Sequence, residues 1–459
     1  MHTMTVTKAR QISFEILRRV EAEGSYASDL LHAELRPGVK PEDAALATEL
    51  TMGVLRWRGL LDFLLERHLQ KPVARLDLAV ALSLRMGLYQ LRFLQRVPAR
   101  AAVNESVELV KLARKTSAAT LVNAVLRKAS TEAAVAAENF LAPGWEHAGR
   151  LSVLHSHPRW MVERWLARFG EARTILLLEV NNRAPRLSCA LQDLDHRDET
   201  IHEIERAGLR VREGQLLKTA FSVTGGSPVQ TEAFRSGRFS IQDEASQAAP
   251  LLLDVQPGDR VLDLCAAPGG KTPPLYRAAG NTGLALAADR HAHRLRAMRA
   301  QMERLGLRGI PLVALDATRP LPFRTEFDRI LVDAPCTGTG TLARHPEIRW
   351  RLRPEQLPEF HEVQTQILAM AAESLARGGT LVYSTCSLEP EENEEVVEET
   401  LRAAPSLRRA APAKLKPVLA RCLTNEITVE QLFDADGQFR TFPGEQPTDG
   451  FFAAVLEKP

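Results

Sequence analysis

Val261-Leu262-Asp263-Leu264-Cys265-Ala266-Ala267-Pro268-Gly269-Gly270-Lys271 reads as a short apolar strand that runs into a glycine-rich turn, with a helix predicted to follow. The chain from Asp259 onward repeats the alternation. Further strands are predicted over Leu284–Ala288, Pro311–Leu315, Arg329–Val332 and Thr380–Ser384, with helical stretches between them. Short apolar strands alternating with helices are the pattern of a doubly wound α/β, Rossmann-like sheet. Phe451–Leu456 reads as a last strand, and its approach through Phe439–Phe442 predicts an antiparallel hairpin closing the sheet edge.

The turn itself suits a nucleotide-type cofactor. Gly269 and Gly270 allow a tight turn and close backbone approach, and the following helix start offers free N–H groups. The spacing is neither GxGxxG nor the GxxxxGK[ST] of a phosphate loop, so a plain dinucleotide reading is weak. Asp289 and Asp316 end the next two strands. A carboxylate at the first can accept both ribose hydroxyls of an adenosine, and one at the second can meet the adenine amino group. Capping of the following helix is the bland alternative for either acid. Two in succession behind a glycine loop favour adenosine.

Two thiols stand at later strand ends, in Asp333-Ala334-Pro335-Cys336 and in Ser384-Thr385-Cys386-Ser387. A lone cysteine is usually a small buried hydrophobe. Two on neighbouring strand ends, beside an aspartate, suggest covalent chemistry in the crevice where such sheets bind ligands. Carbon 5 of cytosine is a poor nucleophile. A thiolate added at carbon 6 makes carbon 5 enamine-like and able to attack an activated methyl group. A carboxyl group near ring nitrogen 3 stabilises the adduct, and a base then removes the carbon 5 proton so that the thiol can leave. Asp333, Cys336 and Cys386 match that list, and spacing alone does not say which thiol attacks. Cys189 and Cys422 take the packing role.

Upstream of the sheet the chain changes character. Ala9–Val20, Leu46–Leu69, Leu76–Leu94 and Val103–Lys128 carry apolar residues at helical spacing, so an all-α domain is predicted over residues 1–135. Residues 136–235 read as a linker and a small α+β domain, with a strand at Arg186–Leu191 and a helix at Glu199–Ala207. Residues 236–459 hold the Rossmann-like sheet.

Composition bounds the rest. Five cysteines, odd in number and without a CxxC pair, speak against a disulfide framework, and no metal site is expected. No apolar run reaches the roughly 20 residues of a membrane span, and the start lacks a signal-peptide core, so a cytoplasmic protein without membrane attachment is expected. Residues 1–130 carry 20 Lys and Arg against 13 Asp and Glu, a net of +7, within a chain of net +2, so the remainder carries −5. A basic amino-terminal module suggests a polyanionic partner.

The motifs closely resemble a known family. Leu262–Thr272, Asp333–Gly340, Ser384–Leu388 with Glu391-Glu392-Asn393-Glu394, Arg344–Trp350 and Ile241–Gln247 are similar to the motifs of RNA cytosine-5 methyltransferases. The helical first domain resembles the NusB-like domain fused to that module in the bacterial ribosomal RNA small subunit methyltransferase B family. The resemblance implies S-adenosylmethionine as donor and a cytosine of small-subunit (16S) ribosomal RNA as target, with no obligate protein partner. It puts the nucleophile on Cys386, the release-assisting thiol on Cys336 and the base-contacting acid on Asp333. It puts the cofactor on Cys265, Ala266, Ala267, Pro268, Gly269, Gly270, Lys271, Asp289, Asp316 and Asp333. Lys271 has two readings, the substrate base or the donor carboxylate. Thr337 stands where the family often has Ser and keeps the hydroxyl. Arg344, His345 and Arg349 flank the active-site turn and are expected to hold the RNA backbone. The competing readings are a non-catalytic RNA-binding assembly factor, which would be expected to lose a thiol or the glycines, and a nicotinamide oxidoreductase, which the missing GxGxxG disfavours.

Overall fold

The structure, a computed structural model, describes residues 6–35 and 38–459. The chain forms two compact units. One runs up to Ala184 and includes Leu342–Arg351; the other comprises Pro185–Thr341 and Leu352–Pro459.

The first unit is helical: α1 Lys8–Glu23, α2 Ala27–Glu34, α3 Pro41–Glu66, α4 Leu78–Phe93, α5 Ala99–Leu112, α6 Ala119–Glu132, α7 His147–Leu154 and α8 Arg159–Asn181. Helix α4 is buried without interruption from Ala79 to Gln90, and α1, α3, α5 and α6 pack against it. Asp77 caps it, accepting from the Ala79 N–H at 3.0 Å. Helix α1 buries only one stripe, Ile12, Ile16, Leu17 and Val20 among it, and stops at Gly24 in the left-handed region. Its Arg10 reaches Glu105 of α5 at 3.0 Å, a paired charge where an unpaired one would be costly.

Residues 136–184 fall in the stretch expected as part of the linker and small α+β domain, with a helix predicted at Trp160–Phe169. They form α7 and α8 and belong to the helical unit. Met161, Val162, Trp165, Leu177 and Leu178 are buried there. The helical pattern is broken at Gly170, whose φ of 75° and ψ of 173° interrupt α8, so its two halves do not read as one helix in the sequence.

The second unit contains two sheets. The small one has the order β2-β3-β1-β4, with β1 Leu187–Leu191, β2 Arg210–Glu213, β3 Ala220–Thr224 and β4 Phe239–Ile241. Every pair in it is antiparallel. Cys189, Phe221, Val223 and Phe239 form its core, with Ile204 of α9 Arg197–Arg206 and Ala233 of α10 Glu232–Arg235. Burial pushes the Cys189 thiol up to about 12, in keeping with a packing role. Because β4 pairs with β1, this sheet extends past residue 235, the expected boundary.

After α11 Glu244–Leu251 comes the large sheet: β5 Arg260–Leu264, α12 Thr272–Ala279, β6 Leu284–Asp289, α13 Ala292–Arg304, β7 Leu312–Ala314, β8 Phe327–Asp333, α14 Ile348–Arg351, α15 Gln356–Glu373, β9 Leu375–Thr385, α16 Glu394–Ala403, β10 Arg408–Arg409, α17 Pro412–Cys422, β11 Phe439–Thr441 and β12 Phe451–Glu457. Of these, α14 lies in the helical unit. The strand order is β10-β12-β9-β8-β5-β6-β7, with β11 also on β12. Strands β5 to β9 pair in parallel, and β12 runs antiparallel to β9. Strands buried on both faces read as continuous apolar runs, which is why β5 and β8 are visible in the sequence. The register sets Leu264 beside Val332 and Asp333 beside Ser384, so the loops after β5, β8 and β9 leave the sheet at one edge. No helix among the described residues is long and apolar enough to cross a membrane.

Candidate active site

The loop after β5 is shaped by its backbone. Cys265 takes φ 67° and Gly269 φ 102°. A Cβ at Gly269 would come within 2.8 Å of Met298 Cγ on α13, so glycine is needed for both its conformation and its clearance. The loop is pinned to the next strand: Ala266 N–H donates to Ala288 O at 2.8 Å and Ala267 N–H to Asp289 at 3.2 Å. Asp289 also accepts from His291 N–H at 2.9 Å and from Arg294 at 3.2 Å. It is buried, so it supports the loop in addition to any contact with a nucleoside. Asp316 lies just past β7 and is more open. The Thr318 hydroxyl and N–H donate to it and hold its carboxyl below the usual range. Cys265 is packed, and burial pushes its thiol up.

At the ends of β8 and β9, Cys336 Sγ and Cys386 Sγ lie 3.3 Å apart, both half-buried. Cys336 is held well above an ordinary thiol, first by its hydrogen bond to Cys386 and then by burial. The two sulfurs share one hydrogen bond, in which either can be the donor. Asp333 is held from two sides: Lys271 Nζ is 2.7 Å from its Oδ2, and the Ser384 hydroxyl donates to Oδ1 at 2.9 Å. Lys271 also lies 5.4 Å from the centre of the Phe451 ring. Lys271 is thus paired with Asp333 of the same site, and this pairing leaves both of its readings, the substrate base and the donor carboxylate, open.

The turns after the two cysteines touch. Gly340 N–H donates to Cys386 O at 2.9 Å, and Gly450 N–H donates to Gly340 O at 2.8 Å. A Cβ at Gly340 would meet Gly450 O at 2.2 Å, so the approach requires glycine.

Two residues of the site are not evident from sequence reasoning. Asp263, in the middle of β5, is only 2% exposed. Thr272 donates to one of its oxygens at 2.6 Å, and the other has no partner among the described residues. Burial pushes its carboxyl up to about 7. A carboxylate inside the run Val-Leu-Asp-Leu is the available signal, since acids are rarely buried unpaired. Ser384 stands inside the cysteine motif, and its signal is its place beside Asp333 in the register.

The expected RNA contact at Arg349 is corrected. The residue is 0% exposed, inside the helical unit. Its guanidinium donates to Ser156 O at 3.1 Å, Asn181 O at 3.0 Å and Asn182 Oδ1 at 2.8 Å, and burial pushes it down to about 9. None of it reaches the surface to meet a phosphate. His345 is half-buried, packs edge-on to Tyr26 with centroids 5.5 Å apart, and is pushed down by burial. Arg344 is half-buried.

Asp263, Asp289, Asp316 and Asp333 all follow or sit in adjacent parallel strands. Arg294 faces Asp289 and Lys271 faces Asp333, so that charge is partly balanced, and one oxygen of Asp263 is a buried polar atom without a partner among the described residues.

Comparisons with known proteins find three matching regions, and the match to the small domain begins within the segment that packs with the helical unit. A model described as 16S rRNA methyltransferase RsmB/F matches residues 250–457, the NusB family model matches residues 7–131, and a model of an RsmF/B-like ferredoxin-like domain matches residues 157–230. A protein of Bacillus subtilis (strain 168) named probable ribosomal RNA small subunit methyltransferase B is 31% identical, over 99% of this chain and 100% of its own length. A protein of the same name from Synechocystis sp. is 33% identical, over 98% of this chain and 99% of its own. The crystal structure of PH0851 aligns at a TM-score of 0.81 and 25% identity, over 99% of this chain and 100% of that one.

Proposed function

This chain belongs to the ribosomal RNA small subunit methyltransferase B family, and from that premise we propose that it moves a methyl group from S-adenosylmethionine to carbon 5 of a cytosine in small-subunit (16S) ribosomal RNA, through a covalent thiol adduct. The observation that carries this reading is the pair of sulfurs 3.3 Å apart at the ends of β8 and β9, next to the Asp333–Lys271 pair.

S-adenosylmethionine supplies an electrophilic methyl group when bound. The backbone of Cys265 to Lys271, with Asp289 and Asp316, would hold its nucleoside. Cys386 Sγ adds to carbon 6 of the cytosine as a thiolate, so an S–C6 bond forms and the ring electron pair makes carbon 5 nucleophilic. Asp333, fixed by Lys271 and Ser384, meets the polar edge of the base and stabilises the charge that develops there. Once carbon 5 carries the methyl group, its proton leaves to a base, the S–C6 bond breaks and the thiolate re-forms. The 3.3 Å separation supports giving Cys336 a part in that release. The family resemblance supports Cys386 as the attacking sulfur, which must be a thiolate to act as the nucleophile.

The NusB-family region contributes RNA binding in this reading, with Arg344 and His345 as further candidates, and the protein acts in the cytoplasm. The deciding experiment uses S-adenosylmethionine with a tritiated methyl group, unmodified 16S ribosomal RNA and nucleoside analysis. Label in 5-methylcytidine is expected. Label in another nucleoside overturns the assigned chemistry. No label, on free RNA or on precursor particles, favours a binding factor.

A further inference from the structure

We propose that Glu392 is a positioning residue that sets the spacing of the two thiols, by gripping the turn after Cys336 and the turn after Cys386 with one carboxylate. The side chain is 0% exposed. Its Oε1 accepts from Thr337 N–H at 2.8 Å and from Gln364 Nε2 at 3.0 Å. Its Oε2 accepts from the hydroxyls of Thr337 and Ser387. Thr337 directly follows Cys336, and Ser387 directly follows Cys386. Four donors from three chain segments converge on one acid whose hydrogen bonds go to neither sulfur.

The residue's own backbone is tied to β9. The Tyr383 hydroxyl donates to Glu392 O at 2.6 Å. Asn393 accepts from the Thr385 hydroxyl at 2.5 Å and donates to Ser387 O at 2.9 Å. Gln364 donates also to Pro335 O at 2.8 Å, which holds the far side of the Cys336 turn. Glu392 and Asn393 therefore form a bracket across the ends of β8 and β9. An acid buried only for stability has no reason to span these two turns. Side chains that fix reactive groups in this way act through geometry, because each of their own rotamers is locked by packing and hydrogen bonds.

The spacing can be read without methyl transfer, so the test stands apart from the proposed reaction. Phenylarsine oxide condenses with two adjacent thiols: two As–S bonds form, both thiol protons leave with the oxide oxygen as one water, and no redox change occurs. The native protein is expected to gain one phenylarsenic group bridging Cys336 and Cys386, identified by mass and by loss of both free thiols, and Cys336→Ala abolishes the bridge. Glu392→Asp keeps the charge but shortens the reach by one methylene, and bridging is expected to slow about tenfold or more, since misplacement by ~1 Å costs an oriented reaction up to ~100-fold. Glu392→Gln keeps the reach. Its carbonyl can accept where Oε1 does, its amide can donate to the two hydroxyls, and bridging is expected to recover toward the native rate. Circular dichroism and thermal unfolding establish that each variant is folded, and Ser387→Ala, which removes one gripped hydroxyl alone, serves if Glu392→Asp does not fold. Native-rate bridging in a folded Glu392→Asp or Ser387→Ala variant overturns the proposal. So does an equal loss in Glu392→Gln, which would put the effect in the charge and not in the span.

Discussion

Lys271 Nζ and Asp333 Oδ2 lie 2.7 Å apart, so the last residue of the β5 loop and the last residue of β8 are joined by a charge pair. Lys271 is 9% exposed, and its ammonium has little access to water. Either single removal leaves the other charge poorly compensated. Lys271→Met and Asp333→Asn are each expected to lower turnover strongly. Their double variant should be no worse than the poorer single, with a coupling energy of about 1–3 kcal/mol in a double-mutant cycle. Additive losses would show that the two residues act independently.

The thiol pair makes different predictions for its two members. Cys386→Ala removes the proposed nucleophile and is expected to abolish turnover. Cys336→Ala is expected to trap the adduct, so that labelled RNA stays with the protein on a denaturing gel. Ordinary turnover in Cys336→Ala, with no trapped RNA, would sink the two-thiol scheme.

Much of this site is legible because its parts are consecutive in sequence. Strands β5, β6 and β8 are apolar runs, and the glycine loop and both cysteines sit at strand ends, where the topology collects ligands. Strand β9 is legible only from Thr380, because Gly378 and Gly379 interrupt its first half. Strand β2 has no clear sequence signal, since three of its four residues are exposed and Val211 alone shows the core face. The Glu392 bracket lies within a recognisable motif, yet its role is hidden in the linear chain because Thr337, Gln364 and Ser387 meet it only in three dimensions. Arg349 looks like a surface cation because nothing in the linear chain reveals that Leu342–Arg351 belongs to the helical unit.

Asp263 predicts a pH dependence. Burial raises its folded-state carboxyl to about 7, against an ordinary value of 3.8. The folded chain then binds this proton more tightly than the unfolded chain, so the stability it contributes is present below about pH 4 and is lost as pH rises to about 7. Asp263→Asn removes the titration. The variant should gain stability relative to the native protein between pH 5 and pH 8, by up to a few kcal/mol at the upper end, since each tenfold difference in proton affinity between folded and unfolded chains is worth about 1.4 kcal/mol. Denaturant unfolding at several pH values measures it, and parallel curves for the two proteins would refute the assignment.

Arg349 separates a structural cation from an RNA contact. Its guanidinium donates to Ser156 O, Asn181 O and Asn182 Oδ1 inside the helical unit, so Arg349→Met leaves those acceptors without donors. The expected cost is about 1–3 kcal/mol in unfolding free energy, the usual penalty for stranding buried polar groups. A phosphate contact would behave differently: each one lost lowers the slope of log affinity against log salt by about 0.7–0.9. Because no part of Arg349 faces solvent, the salt dependence of RNA binding should match that of the native protein, measured at a temperature where the variant is folded. A slope reduced by about one contact, with stability unchanged, would restore Arg349 to the RNA surface and require the segment around it to sit differently when RNA is bound.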